Sequence, residues 1–404
     1  MSILKRLLGV ETRNTVTTSD PSLAEFLGPR SGVSGYVDNA QASGLAVAQA
    51  CITVISQNLA AIPLNVYRRG DDGSRERAQD HPLQRVLHDQ FTPSMTAFEA
   101  REALISDLLT NGNAYAVIET NGRGQVARLF RVSPAMVSIE RINNGRLRYR
   151  VADHRGQTKV MIQDEILHLR YRIGPDGVLG VSPIQLAREA FGLALTQQEQ
   201  ARKQAAKAFR AEGALVFPQP IPGDKKSEAL DKLAARLESQ ASTSGVIVLD
   251  GGAEWHPQSL SSKDAEFLES RKLSNLDVAR VFNVPPTAIG IVDNATYSNV
   301  EGETRALVTR CLAPMARRIE QAMNAALLTA DGRRRHFIEH DMGALLRGDL
   351  GARYDAYRVG REAGFLSVNE IRRLENLPPV PGGETHIQPM NFAPLGAQSQ
   401  EEGN

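Results

Sequence analysis

Apolar positions along the chain change period several times, and each change marks an element. From Leu45 to Ala61 they recur at helical spacing, interrupted by Gln49, Ser56, Gln57 and Asn58, and Pro63 closes the run. That pattern describes a buried amphipathic helix rather than a membrane span. Leu64 to Tyr67 reads as a short strand, Gly70 to Gly73 as a turn and Pro82 to His88 as a short helix. Thr96 and Glu99 have the spacing of a capping box, opening a helix that Asn111-Gly112 stops. The period then falls to two. Ala114 to Glu119 alternates, Asn121-Gly122 turns and Val126 to Val132 returns. Val137 to Arg141 and Leu147 to Val151 repeat the pattern about Asn143-Asn144-Gly145, and Glu165 to Tyr171 adds a strand. Hairpins beside early helices predict a compact α+β unit.

Helical spacing resumes at Ser182-Pro183-Ile184-Gln185, which combines a cap, a proline in the first turn and a glutamine three residues on. The pattern runs to Glu212, which predicts one helix of roughly 45 Å at the usual rise. Its second half is rich in alanine and carries Arg202, Lys203, Lys207 and Arg210, either a solvated basic face or part of a helix packed against copies of itself around a channel. An insert follows: a strand at 214–217, three prolines, a charged helix at 227–237, and strands at 246–249 and 254–256 paired about Gly251-Gly252. From Ser262 to Leu328 two helical patterns flank a loop without a helix signal. Ser261 with Asp264, Ser274 with Asp277 and Ser298 with Glu301 all have capping-box spacing. Pro285 and Pro286 end the first helix. In the second, Leu307, Cys311, Leu312, Met315, Ile319 and Met323 make one apolar face, and Pro314 predicts a kink. Arg333 to Asp341 follows an Asp-Gly turn, a helix spans 349–363, and Ser367 with Glu370 caps a last one at 368–375.

The spaced blocks Arg271-Lys272-Leu273, Val278 to Pro286 and Tyr297 to Glu301 resemble the portal proteins of tailed bacteriophages, in particular the HK97-like portal family. The resemblance extends from about Gly44 to about Gly383. It implies the α+β portal fold of wing, stem helices, clip and crown, assembling into a ring. On this chain it implies a flexible arm at 1–43, a wing at 44–181, a first stem helix at 182–212 and a clip at 213–261. A second stem helix at 262–284, a tunnel loop at 285–297, a long kinked helix and wing return strand at 298–345, crown helices at 346–384 and a flexible tail at 385–404 complete it. The implied function is the head-to-tail connector through which double-stranded DNA is packaged and ejected. A ring of about twelve copies needs two different complementary flanks on each subunit.

The implied partners are further copies of the chain, the large terminase subunit, a head-tail adaptor, the major capsid protein and double-stranded DNA bound without sequence specificity. The implied place is the virion, after assembly in the host cytoplasm, with no membrane and no cofactor. Ile291, Val292, Asp293, Asn294, Ala295, Thr296 and Tyr297 would line the narrowest point of the channel. Arg202, Lys203, Lys207 and Arg210 are candidates for a channel-facing stem surface, and Lys225, Lys226, Asp231, Lys232 and Arg236 for partner contacts on the clip.

Composition fits this picture. The 404 residues carry a formal net charge of +1, which argues against tight static DNA binding but suits a wall along which DNA slides. Two cysteines, Cys51 and Cys311, sit on apolar helical faces and read as buried thiols of a reducing cytoplasm. The opening MSILKRLLGV makes a poor signal peptide. No Gly-x-x-x-x-Gly-Lys-[Ser/Thr] phosphate loop and no Gly-x-Ser-x-Gly elbow occur, so an enzyme is not expected. Gly122-Arg123-Gly124 lies between two strands and reads as a hairpin turn, and Asn294-Ala295-Thr296, a sequon by spacing, as loop. His336-Phe337-Ile338-Glu339-His340 does match His-x-x-Glu-His, whose zinc chemistry needs a helix to put both imidazoles on one metal. A zinc hydrolase and another ring-forming capsid or tail adaptor are therefore the rival readings.

Overall fold

A computed structural model describes residues 14–16, 38–206 apart from 72, 143, 144, 154 and 155, then 213–216, 254–257, 262–291, 297–342, and 350–387 apart from 376. A three-residue strand, β1 (Asn14–Val16), precedes α1 (Asn39–Ser43) and α2 (Ala46–Ala61). After Pro63 the chain extends into β2 (Leu64–Arg69), turns at Gly73 and returns as β3 (Arg75–Arg77). Helix α3 (Pro82–His88) starts where Pro82 needs no partner for its missing N–H, and His81 Nδ1 accepts from Leu83 N–H at 3.2 Å. A small hairpin, β4 (Gln90–Thr92) and β5 (Met95–Thr96), leads into α4 (Ala97–Asn111). The expected capping box is complete there, with Glu99 N–H donating to Thr96 Oγ1 and Thr96 N–H to Glu99 Oε2. Gly112 ends α4 at φ +77°, and a Cβ on it would stand 2.5 Å from Ser182 N.

The next strands are β6 (Asn113–Thr120), β7 (Val126–Val132), β8 (Val137–Arg141), β9 (Leu147–Ala152), β10 (Thr158–Ile162) and β11 (Ile166–Arg170). They form two antiparallel sheets, ordered β11-β6-β7 and β1-β8-β9-β10. β10 carries no clear alternation in sequence; the antiparallel register Met161↔Tyr149 with β9 places it. Side chains of the first sheet alternate between two cores. Ala114, Ala116, Leu129, Leu167 and Leu169 face the main core with α2 and α4. Tyr115 and Ile166 face a second one with Ile139, Tyr149 and Met161 of the four-stranded sheet.

After a short pair, β12 (Arg172–Ile173) and β13 (Gly180–Val181), Ser182 and Gln185 make the expected capping box. The single long helix expected over 182–212 is not continuous. α5 (Pro183–Leu186) stops at Ala187, whose φ −117° and ψ 39° leave helical space, and α6 (Arg188–Ala206) starts again. Alanine is a strong helix former, so tertiary docking, not a breaker residue, sets this joint. Strand β14 (Gly213–Val216) pairs with β15 (Glu254–Pro257), from Gly213↔Pro257 to Val216↔Glu254. The strand expected at 254–256 is therefore present, and the described edge of it is taken by β14. The helices before and after the insert run side by side, so its first and last strands meet; 246–249 lies outside the described residues.

Helix α7 (Ser262–Val281) runs straight through Ser274, so Ser274 and Asp277 do not cap a new helix. A cap needs extended backbone at the serine; here Ser274 is buried mid-helix and Asp277 pairs with Arg280 at 2.6 Å. α8 (Tyr297–Ala306) passes through a π-helical turn at Leu307–Leu312 into α9 (Ala313–Leu327). Pro314, where a kink is expected, falls in the first turn of α9 directly after this π-helical turn, in which Ala313 N–H donates to Val308 O, five residues back. The whole predicted apolar face of this segment, from Leu307 to Met323, is buried.

Helix α10 (Ala330–Arg335) precedes β16 (His336–His340), which adds to β2 in the order β16-β2-β3. β16 is an edge strand, yet side chains of α9 occupy its outer edge. Asn324 Oδ1 accepts from Ile338 N–H at 2.8 Å, and Nδ2 donates to Ile338 O at 3.0 Å. Glu320 Oε1 accepts from His340 N–H at 2.9 Å, and Gly332 O accepts from His336 N–H. Two side chains on a helix thus take the place of a neighbouring strand. The last elements are α11 (Leu350–Glu362) and α12 (Val368–Leu374), the latter capped by Ser367 and Glu370 as expected. Glu375 ties them, accepting from Tyr357 Oη at 2.8 Å and Arg353 Nη2 at 3.1 Å. No described helix is long and apolar enough to cross a membrane.

Candidate functional site

The site is built from the α6–α7 pair and the chain that leaves α7. Phe191 on α6 meets Phe282 edge-on at 6.2 Å, both buried, and Gln197 Nε2 donates to Ser270 Oγ at 2.9 Å. This hydrogen bond links the two helices beyond their apolar contacts. Beyond Val281 the chain must turn sharply. Asn283 takes φ +56°, the only described non-glycine residue in left-handed space, and Val284 N–H reaches back to Ala279 O at 3.1 Å. Asparagine tolerates that conformation better than most residues.

Pro285 then leads into a 3-10 turn, Pro286–Ile289, where the sequence carried no helix signal. Gly290 closes the turn at φ +78°. Ile291 is half-buried, Val292 to Thr296 lie outside the described residues, and α8 begins at Tyr297. The two shoulders of this loop are tied to each other, since Thr287 Oγ1 donates to a carboxylate oxygen of Glu303. Nothing in the spacing of Thr287 and Glu303 pointed to that contact, because it depends on how α8 folds back over the 3-10 turn.

The remaining candidates are placed unevenly. Arg202 and Lys203 lie exposed on α6 and share one partner, Glu199, at 3.1 and 3.7 Å. Their charge is therefore partly neutralised within the helix. Lys207 and Arg210 fall outside the described residues, as do Lys225, Lys226, Asp231, Lys232 and Arg236. Cys51 and Cys311 are both buried free thiols, and burial pushes each up to about 12.

The His-x-x-Glu-His run is strand β16, not a helix. Four residues along a strand separate Cα atoms by roughly 13 Å, too far for one metal to join His336 and His340. His340 is buried and its Nδ1 lies 2.9 Å from Glu320 Oε1, while His336 packs against His81 with ring centres 4.9 Å apart. Among the described residues no group of three histidine, cysteine or carboxylate side chains could hold a metal. The motif's histidines build an edge strand, and the zinc reading has no geometric support.

The structure thus combines an α+β body, two packed helices on either side of an insert, and a loop after them whose shoulders are tied together. The sequence model of the phage portal protein family matches residues 46–376, and the chain belongs to that family. It is similar to the portal protein of Enterobacteria phage HK97, 28% identical over 348 residues, which span 85% of this chain and 81% of that protein. It is also similar to a probable portal protein of Streptomyces phage phiC31, 26% identical over 371 residues, spanning 87% and 79% of the two chains. Among solved structures, a chain in the neck of an empty gene transfer agent particle superposes with a TM-score of 0.62 at 25% identity. That match covers 86% of this chain and 96% of the other.

Proposed function

We propose that this portal-family chain closes into a ring of identical copies whose central channel passes double-stranded DNA, with 291–297 at the channel wall. The observation that carries the ring is the apolar surface left in water by a single copy. Leu193 on α6 is 50% exposed, and Leu268 and Leu273 on α7 are each 54% exposed. All three lie off the buried α6–α7 seam, on faces that a neighbouring copy's helices would cover. Burying one leucine fully is worth about 1.5–3 kcal/mol, and a closed ring repeats the gain at every interface. The relative in the gene transfer agent neck, treated at sixfold symmetry, supports the same arrangement.

The loop suits a sliding contact. Val292 to Thr296 present small or uncharged side chains and one acid, Asp293. Phosphate is repelled there, not held, and no base edge is read. In this reading the insert at 213–261 is the clip that meets the terminase and later the tail adaptor, and 346–384 forms the crown. The protein would then belong to the virion, assembled in the bacterial cytoplasm. Negative-stain images of the purified chain should show annular particles with a central hole. Leu268→Glu with Leu273→Glu should shift mass photometry toward single copies while leaving the circular dichroism unchanged. Wild-type material that stays single-copy under all assembly conditions refutes the ring.

A further inference from the structure

A cavity of about 420 Å³ opens between α9, α10 and the outer sheet, on a part of the molecule that the channel reading does not use. Arg69 and Arg75 reach it from β2 and β3, Arg317 from α9 and Arg333 from α10, with Glu320 and Glu339 as the acids in the wall. The two acids are already engaged. Glu339 pairs with Arg75, and Glu320 bonds His340 and, at 3.4 Å, Arg317. Arg333 donates to the carbonyls of Ala325 and Leu328, and Arg69 lies over the Phe337 ring at 4.6 Å. Neither meets a carboxylate among the described residues. Four guanidinium groups against two carboxylates leave an excess of two positive charges. His336, also in the wall, is held below its ordinary value by burial, with Arg68 and Arg335 adding to the effect, and is neutral at pH 7.

The arginines are held ready. Arg75 stands over Tyr67 at 5.2 Å, Tyr67 stacks on Phe337 at 5.5 Å, and Arg69 lies over the Phe337 ring. Guanidinium groups fixed in this way lose little freedom on binding a planar or tetrahedral oxyanion. Both aromatic rings are engaged within this ladder, so the cavity is built around charge rather than for stacking a base. The volume lies in the lower part of the range for small-molecule sites, roughly 300–1,000 Å³, and a duplex cannot enter it. We propose that this cavity binds a small dianionic oxyanion, a phosphomonoester group or free hydrogen phosphate, clamped by Arg69, Arg75, Arg317 and Arg333. The charge of the ligand matches the excess in the wall.

The test is titration calorimetry on the full chain at constant ionic strength, with inorganic phosphate, glycerol phosphate and succinate as separate probes. Saturable binding of either phosphate by about 10 mM is expected. Tighter binding of glycerol phosphate assigns an esterified group, and tighter binding of inorganic phosphate assigns the free ion. Arg69→Gln and Arg333→Gln should each weaken binding about tenfold, the loss typical of a charge-assisted bond. Glu339→Gln should tighten it, because it frees Arg75 and raises the positive excess; a variant that merely perturbed folding would not. Each variant's melting temperature without ligand checks its fold. Absence of saturable binding, equal binding of succinate, or affinity unchanged in both arginine variants overturns the proposal.

Discussion

Asn324 offers the sharpest test of how the outer sheet is closed. Its side chain serves both backbone groups of Ile338, at 2.8 and 3.0 Å, and donates to Glu320 O at 2.8 Å. Leucine is close in volume but can serve neither, so Asn324→Leu leaves an N–H and a carbonyl of an edge strand without partners. Each such loss costs about 1–3 kcal/mol when water is excluded. Water is not fully excluded here, because Asn324 and Ile338 line the cavity beside α9. The lower end therefore applies, about 2 kcal/mol for the pair. For a chain of 404 residues this is a fall of about 2–3 °C in melting temperature. Scanning calorimetry at matched concentration and assembly state measures it, and hydrogen exchange at the Ile338 amide locates it. Faster exchange confined to β16 is expected, since the strand's bonds to β2 remain. A melting temperature within about 1 °C of wild type, with unchanged exchange at Ile338, would show that water replaces the asparagine at no cost and refute the argument.

Other outcomes follow from the same geometry. Burial raises the Glu320 carboxyl, but hydrogen bonds from the His340 ring and backbone N–H, its charge, and Arg317 outweigh it and hold the group below its usual range. A depressed folded value means the stabilisation is complete above the unfolded value and fades as pH falls through the folded one. Urea melts of wild type and Glu320→Gln should therefore differ at pH 7 and converge in acid; a constant gap would contradict the linkage. Gly112→Ala forces a Cβ within 2.5 Å of Ser182 N at φ +77° and should cost more than about 1 kcal/mol, read as a lowered urea midpoint. In the channel reading, Asp293→Arg should slow DNA exit in an ejection assay, and unchanged packaging and ejection kinetics would remove the loop from the channel wall.

Local signals were legible wherever the physics was local. The capping boxes at Thr96, Ser182 and Ser367, the hairpin at Asn121-Gly122 and the buried face from Leu307 to Met323 stand as their spacing predicts. Each depends on residues within a few positions of each other. The blocks at 271–273, 278–286 and 297–301 also carried the resemblance to the family. Tertiary structure decided the rest. Ser274 has the spacing of a cap but lies mid-helix, and Ala187 breaks a helix that no residue type forbids. The pairing of β14 with β15 was set by where two helices run together, and the tie between Thr287 and Glu303 by how one helix folds back. Glu320 and Asn324 show the reason most plainly. On the sequence they are polar residues beside an apolar face; only when β16 arrives with unmatched backbone groups do they become its missing neighbour. Spacing encodes contacts along one element, whereas contacts between elements depend on which surfaces the folded chain brings together.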